Sequence, residues 1–223
     1  MLKTVKQALF STSLQNPKWT ALETQTPWLS YLQDHLQLTP RLVIFPPCGF
    51  LLMFAMNTTS SEYEMRQYEP AKWVSTEVKS MKDWDSAVSV GFMRLFNYIQ
   101  GSNAKNVKVE MTAPVTTYVE PGAGPACEST FTISFYIPTE HQDDPPQPSE
   151  SSVFVTERPG TTVYVRSFGG YTNGAKNLEH ISKLSEHLKQ DGKVFDENVY
   201  YSAGYDSPFK PINRHNEVWL IAK

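Results

Sequence analysis

Hydrophobic and polar positions alternate in a way that predicts the same order of elements twice, about 90 residues apart. In the first copy, strand-like runs beginning at Tyr63 precede a helix over 83–100, and the runs VKVEMTAPVTTYV and FTISFYIP follow it. In the second copy, VFVTERPGTTVYVRSF precedes a helix over 173–190, and VYYSAGYDS and EVWLIAK follow it. We therefore predict an α+β protein with a duplicated strand-helix-strand-strand unit. Its two half-sheets pack together and leave a ligand-binding groove where they meet.

The two predicted helices present different hydrophobic faces. The first has a continuous apolar arc when residues advance by about 100°, and Phe92 and Phe96 lie one turn apart on the shoulder of that arc. These two rings either fill core beneath a loop or form the floor of an apolar groove. The second helix has a narrower stripe, typical of ordinary core packing, that consists of Leu178, Ile181, Leu184 and Leu188.

Two proline-containing stretches predict interruptions of the sheet. The segment HQDDPPQPSES, over 141–151, is rich in proline, acid and serine, which favours an extended, solvated linker between the halves. Pro114, within MTAPV, has no backbone N–H to donate to a neighbouring strand. The strand that contains Pro114 is therefore expected to lie at an edge of the sheet or to carry a bulge.

The first 60 residues have a different pattern and are assigned to an N-terminal extension, partly disordered or irregular, ahead of a domain over 61–223. Residues 1–19 are basic and predict a frayed amphipathic terminus, with a mitochondrial presequence as the alternative. The apolar run over 42–56 is shorter than the roughly 20 residues that span a bilayer and is broken by two prolines and a glycine. No transmembrane segment is predicted. The run folds onto the domain, touches a membrane as a loop, or is an insertion.

Composition narrows the class of protein. The chain has 223 residues, 40% of them hydrophobic, which is enough apolar material for one sizeable core in a soluble domain. Its net charge of -3 offers no basic excess for neutralising phosphates, so no nucleic-acid partner is expected. Cys48 and Cys127 lack the spacing of a zinc site or of covalent haem attachment, and two cysteines do not make a disulfide scaffold. A reducing compartment, the cytoplasm, is the predicted location.

Motifs for enzymatic catalysis are absent from the sequence. No GxSxG, HExxH, Walker or GxGxxG sequence follows a predicted strand, and neither cysteine lies in a nucleophile motif. His180 and His187 share a face of the second helix, but two turns separate them by about 10.5 Å along its axis, too far for one metal ion. We interpret both as solvated residues beside the core stripe. Neither a catalytic nor a metal site is predicted.

Six ordered motifs carry a resemblance to a known family. They are YEMRQYEPAKWVST, DWDSAVSVGFMRLFNYIQG, VEMTAPVTTYVEPG, ISFYIP, KVFDENVYYSAGYDSPFKP and NEVWLIAK. Together they resemble the SOUL family of haem-binding proteins, from about Tyr63 to Lys223. The resemblance implies a distorted antiparallel β-barrel flanked by two α-helices, a fold shared with bacterial effector-binding domains. It also implies non-covalent binding of haem or another porphyrin in a surface groove, by a carrier or buffer without enzymatic activity.

The resemblance also assigns groove residues. Apolar groove positions on the first helix of the haem-carrying relatives are held here by Phe92 and Phe96. The same helix in those relatives offers an arginine and a lysine to the haem propionates, and the matching positions here are Ser89 and Asn97. A lysine of the PFKP segment is retained as Lys210. These five residues are the predicted cofactor-binding set, with weakened recognition of carboxylates.

Iron coordination is the point at which this chain departs from the family pattern. An axial histidine has been proposed within the YExRxY strand of SOUL-type proteins, and this chain has Gln67 there. Haem iron normally takes His, Cys, Met or Tyr, so Gln67 is a poor ligand. The resemblance therefore implies haem as the cofactor, held mainly by apolar contact area and without an assigned metal ligand.

A second hypothesis is a protein-interaction module with a partner of the Bcl-2 type. Within the family, a BH3-like helical segment is linked to mitochondrial permeability, and the matching stretch here is LSEHLKQDG, over 184–192. Leu184, Leu188 and Asp191 fit loosely the spacing of a helix that binds in a groove. The two leucines also belong to the predicted core stripe, so their burial decides between the hypotheses.

Overall fold

The computed structural model describes residues 14–22, 62–80, 84–123 and 127–223, which contain nine strands and two α-helices. The helices are α1 (Trp84–Ile99) and α2 (Gly174–Gln190), and a short 3₁₀ turn spans Thr139–His141. The strands are β1 (Trp19–Leu22), β2 (Glu64–Tyr68), β3 (Ala71–Ser80), β4 (Val115–Glu120), β5 (Ser129–Tyr136), β6 (Val153–Arg158), β7 (Thr161–Gly169), β8 (Tyr200–Gly204) and β9 (His215–Ile221).

All nine strands belong to one antiparallel sheet, in the order β1-β2-β7-β9-β8-β4-β5-β3-β6. β4 and β8 pair where the two halves of the chain meet, with Val115 opposite Gly204 and Val119 opposite Tyr200. β1 and β6 are the two edges, and they do not pair with each other in the described part of the chain. The sheet is therefore an open half-barrel, which differs from the distorted β-barrel that the resemblance implies.

Each half of the chain contributes two strands, a helix and two further strands, in that order. α1 packs on β3 and β5, and α2 packs on β7 and β9. The first turns of the two helices meet, since the Gly174 N–H donates to Asp85 Oδ2 at 3.3 Å. Asn173 caps α2, its Oδ1 accepting from the Lys176 N–H at 2.9 Å, whereas the predicted first residue of the other helix, Asp83, lies outside the described residues.

The main hydrophobic core lies between the helices and one face of the sheet. The predicted apolar arc of the first helix is confirmed, because α1 buries Ala87, Gly91, Leu95, Phe96, Tyr98 and Ile99. Along β9, Val218 and Leu220 enter this core, while Trp219 packs in a smaller cluster on the opposite face with Val163 and Val165. The period of two along a strand thus separates the two faces of the sheet.

The core stripe of α2 is shifted from its predicted position. Leu184 and Leu188 are fully buried and Ile181 is half-buried, but Leu178 is 55% exposed, so its assignment to the core is wrong. The buried residue of the first turns is Asn177. Asn177, Ile181 and Leu184 are separated by four and then three residues, which places them on one face of α2. Leu178 follows Asn177 directly and so lies about 100° further around the helix axis.

Gly91→Ala is expected to lower the free energy of unfolding by about 1–3 kcal/mol, because α1 packs closely on β5 at this glycine. A Cβ atom there would lie 2.6 Å from Cδ1 and 3.0 Å from Cβ of Ile133, which is fully buried. Alanine favours the helix over glycine by about 1 kcal/mol, which offsets only part of the energetic cost of this steric overlap. Urea unfolding measures the loss. Gly169→Ala is the control, since its Cβ would meet only the Arg214 carbonyl at 3.5 Å, and equal midpoints for both variants would contradict the expectation.

The proline-rich segment over 141–151 is bound to the domain, so the prediction of a solvated linker is wrong. Gln142 Nε2 donates to the Lys72 carbonyl at 2.9 Å, and its Oε1 accepts from the Lys72 N–H at 2.8 Å. Pro145 and Pro146 are buried, and the Pro146 carbonyl accepts from the Tyr98 hydroxyl at 2.8 Å. Composition predicted solvation, but the Lys72 backbone and the Tyr98 hydroxyl, both distant in the sequence, supply hydrogen bonds that compensate the loss of water.

Pro114 does not lie at a sheet edge, so that prediction is also wrong. β4 begins at the next residue, Val115, and has neighbours on both sides, β5 and β8. Pro114 has no backbone N–H. Because it precedes the first paired residue of β4, no hydrogen bond of the strand pairing is lost. The preceding Ala113 N–H donates to the Gln15 carbonyl at 3.0 Å.

Part of the N-terminal extension joins the sheet as β1, which was not predicted. Trp19 lies opposite Tyr68, and Leu22 lies opposite Met65, in an antiparallel pairing with β2. The basic start over 1–13 and the apolar run over 42–56 lie outside the described residues. No helix in the described ranges is long and apolar enough to cross a membrane.

A buried carboxylate organises the face of the sheet opposite the helices. Glu217 is 1% exposed and accepts from Arg66 at 3.1 Å, from Tyr205 and Trp219 at 2.8 Å, and lies 2.7 Å from His215 Nε2. Burial alone would raise the pKa of Glu217. The hydrogen bond with His215, the charge of Arg66 and the remaining donors outweigh burial and hold that pKa below its ordinary value.

Candidate binding groove

A groove of about 390 Å³ lies between α1 and the central strands β4 and β8, where the two halves of the sheet meet. The loop between β8 and β9 and the first turns of α2 complete its lining. Trp84, Val88 and Phe92 recur every four residues along α1 and form an apolar wall. The other lining residues are Asp85, Ser89, Met93, Val115, Thr117, Thr172, Asn177, Ser202, Ala203, Gly204, Asp206, Pro208, Arg214 and Asn216.

The apolar wall is fixed by contacts behind it. The Trp84 indole N–H donates to Ser202 Oγ at 3.1 Å, which orients the ring. Phe92 is half-buried, and its ring lies edge-on to Phe135 at 5.3 Å and stacks on Phe96 at 6.0 Å between centroids. These contacts hold the rings of Trp84 and Phe92 in place before any ligand binds. The entropic cost of association is lower as a result.

The predicted site residues separate into two groups. Ser89 and Phe92 line the groove, whereas Phe96, Asn97 and Lys210 are not among its lining residues. Phe96 is 3% exposed and lies in the core behind Phe92. Asn97 is exposed, one residue further along α1. The shoulder of the first helix therefore contains one groove residue, Phe92, and one core residue, Phe96. Both interpretations of the sequence pattern had given the two rings the same role.

The charged side chains at one end of the groove belong to the loop between β8 and β9. Asp206 accepts from Lys210 Nζ at 2.6 Å and from the His215 N–H at 2.5 Å. Burial would raise the pKa of Asp206, but these two donors hold it below its ordinary value. Arg214 donates to the carbonyls of Ser207 at 2.6 Å and Lys210 at 2.9 Å. Lys210 is thus engaged by a carboxylate, whereas Arg214 is held by carbonyl groups.

Two buried nitrogen atoms, on residues that line the groove, have no hydrogen-bond partner in the described part of the chain. They are Nε of Arg214 and Nδ2 of Asn177. The other amide atom of Asn177, Oδ1, accepts from the Thr172 hydroxyl at 2.8 Å. Sequence reasoning missed both residues. A polar residue on the buried stripe of a helix is the signal that would have identified Asn177.

None of the described lining residues is a histidine, cysteine or tyrosine, and Met93 is the one sulfur-containing residue among them. Gln67 lies in β2 outside the groove, where its Oε1 accepts from the Thr162 hydroxyl. His180 stacks on Phe168 at 3.9 Å, and His215 binds Glu217, so neither faces the groove. The described residues contain no cluster of three His, Cys, Asp or Glu side chains able to bind a metal.

The interaction hypothesis for 184–192 is not supported. Leu184 and Leu188 are both 0% exposed and pack in the main core, so they cannot also enter a partner's groove from the folded state. Asp191 accepts a hydrogen bond from the Tyr63 hydroxyl at 2.7 Å, which ties the end of α2 to the start of β2. The segment is a structural part of the domain.

The fold and the groove place the protein in a structural class: an α+β domain with an open antiparallel sheet, two helices on one face and a groove between its halves. The C-terminal domain of EcmrR has the same fold, with a TM-score of 0.57 at 10% identity, over 72% of this chain and 96% of that domain. The chain belongs to the SOUL heme-binding protein family, whose model matches residues 52–221.

Curated relatives agree with the family assignment. Heme-binding protein 2 from Homo sapiens is 62% identical over 161 residues, which are 72% of this chain and 78% of that protein. Heme-binding protein 1 from Mus musculus is 38% identical over 159 residues, which are 71% of this chain and 83% of that protein. The family match begins close to β2 and leaves β1 outside it.

Proposed function

We propose that this protein binds haem or a related tetrapyrrole non-covalently in the groove beside α1, as a carrier or buffer. The observation that carries the proposal is a preformed apolar wall of Trp84, Val88 and Phe92 in a chain of the SOUL family, whose relatives are named heme-binding proteins. The groove volume, about 390 Å³, falls in the range of small-molecule sites, about 300–1,000 Å³.

Contact area is the main source of affinity in this proposal. Burying about 400 Å² of apolar surface at about 25 cal/mol per Å² contributes roughly 10 kcal/mol before the cost of association is subtracted. The residues of the wall bind the face of the macrocycle and exclude water from it. A bound iron porphyrin would supply redox chemistry, but the described groove offers iron no histidine, cysteine or tyrosine ligand.

Haemin and iron-free protoporphyrin IX are expected to bind with affinities that differ by less than about tenfold, or roughly 1.4 kcal/mol. Contact area is common to both molecules, whereas coordination is available to haemin alone. Soret absorbance for haemin and fluorescence for protoporphyrin IX measure the two dissociation constants. A larger preference for haemin would require an axial ligand, and Met93→Leu would then test the one thioether of the groove.

Phe92→Ser is expected to weaken protoporphyrin IX binding by about tenfold or more, because it removes an aromatic ring from the wall. Phe154→Ser is the matched control, since Phe154 lies on β6, is 42% exposed and does not line the groove. Equal affinities for the two variants would refute the assignment of the site. Failure of the wild-type protein to bind either porphyrin would refute the proposed function itself.

We also propose that the chain contains a duplicated strand-helix-strand-strand unit. The repeated element order supports it, as does the equivalent packing of α1 on β3 and β5 and of α2 on β7 and β9. The first strand of each half pairs with a strand of the other half, β2 with β7 and β6 with β3. Such an exchange binds the two halves into one sheet.

The cytoplasm is the compartment that we propose for this activity. A free, exposed thiol at Cys127 supports it, because such thiols persist in reducing compartments. Mitochondrial association stays a prediction from the basic stretch over 1–19, of which residues 1–13 lie outside the described ranges.

A further inference from the structure

The polar end of the groove contains two unsatisfied donors from different elements. Asn177 belongs to the first turns of α2 and is 1% exposed, and Arg214 lies directly before β9. A buried donor without a partner destabilises the folded state, and native proteins contain few of them. Two such donors lining one cavity indicate a binding site for a hydrogen-bond acceptor that the ligand supplies.

The charge at this end favours an anionic acceptor. Arg214 is the one cation among the described lining residues. Against the effect of burial, its charge helps to lower the pKa of Asp206, but that carboxylate forms its ion pair with Lys210. The carboxylates that line the groove already accept hydrogen bonds: Asp206 from Lys210 and His215, and Asp85 from Gly174. The planar guanidinium of Arg214 has a geometry that suits a carboxylate oxygen.

We propose that Arg214 and Asn177, which line the groove, bind a carboxylate of the ligand through Nε and Nδ2, two side-chain nitrogen atoms without a partner in the described part of the protein. This inference rests on the proposed function and deepens it, since it specifies a carboxylate-bearing tetrapyrrole. The anchor then comes from α2 and the loop before β9, in the second half of the chain. Ser89 and Asn97 on α1, which carry no charge, are not needed for it.

The placement of this anchor fixes the orientation of the ligand. The ring lies along the wall of Trp84, Val88 and Phe92, and one carboxylate points to the end of the groove where Arg214 and Asn177 lie. Carbonyl groups of Ser207 and Lys210 hold the Arg214 guanidinium before the ligand arrives. A donor that is already positioned loses little side-chain entropy on binding, so the contact favours carboxylates over neutral esters.

The test compares protoporphyrin IX with its dimethyl ester, both delivered from the same non-ionic detergent. Wild-type protein is expected to bind the diacid about tenfold more tightly than the diester, and added salt should reduce this preference. Arg214→Gln and Asn177→Leu should each weaken binding of the diacid by about tenfold and leave binding of the diester unchanged. Arg94→Gln is the matched control, because Arg94 lies on α1, is bound by Thr76 and does not line the groove.

The outcomes separate this inference from the proposed function. If wild-type protein binds the diacid and the diester equally, the carboxylate anchor is wrong while tetrapyrrole binding stands. If Arg214→Gln weakens both ligands equally, the residue only supports its loop, and the anchor is again wrong. If wild-type protein binds neither ligand, the proposed function fails and the inference fails with it. Asn177→Leu keeps the test informative if Arg214→Gln does not fold.

Discussion

Phe96→Ala is expected to lower the free energy of unfolding by about 3–5 kcal/mol. The ring is 3% exposed and belongs to the main core, where its removal leaves a cavity that the rigid neighbours cannot fill. Urea unfolding, followed by the fluorescence of the tryptophans, measures the loss. The variant should unfold at a much lower urea concentration than wild-type protein.

Phe92→Ala is the matched control for this substitution. Phe92 is one turn away, half-buried, and lines the groove. Its truncation should affect stability less than that of Phe96 and porphyrin affinity more. The opposite result, in which Phe96→Ala retains wild-type stability and loses porphyrin binding, would show that Phe96 is the groove residue predicted from the sequence.

Glu217→Gln is expected to destabilise the fold by about 3 kcal/mol, because it removes the one buried carboxylate that pairs with the buried guanidinium of Arg66 in the described residues. Glu64→Gln is the matched control. Glu64 also lies 2.8 Å from Arg66, but its side chain is 54% exposed, so its loss should cost less than about 1 kcal/mol. Similar losses for both variants would contradict the assignment of Glu217 as the partner that matters.

The same carboxylate contributes a pH dependence whose sign follows from its pKa. The pKa of Glu217 is lower in the folded chain than in the unfolded chain. Its stabilising contribution is therefore complete above the unfolded value of about 4.3 and is lost as the pH falls toward the folded value. Urea unfolding at a series of pH values below 6 should show a shallower loss of stability for Glu217→Gln than for wild-type protein.

Local patterns predicted the elements well because they depend on neighbouring residues. The periodicity of the first helix located α1 within one residue at either end of the described helix, and the apolar arc matched its buried face. Sequence motifs identified the family from end to end of the domain. The groove also lies where the two halves meet, as expected from the order of elements.

Features that depend on distant contacts could not be predicted in the same way. The segment over 141–151 has the composition of a linker, yet Lys72 and Tyr98 bind it. Phe92 and Phe96 have the same residue type on one helical shoulder, and only the position of the sheet places one in the groove and the other in the core. Asn177 and Arg214 line one groove because α2 packs beside the last strands, and no local pattern contains this packing.

The short strand β1 has a consequence for self-association. Its four residues are exposed, and it is attached by backbone pairing with β2 and by contacts of the Trp19 ring with Arg66 and Tyr68. β1 thereby occupies the N–H and C=O groups of β2 that would otherwise offer an open template to a strand of another molecule. At the opposite edge, β6 carries the charged residues Glu157 and Arg158, which disfavour such pairing. A chain shortened to begin at residue 61 would keep its groove and lose this protection, so its tendency to form oligomers through strand addition would increase.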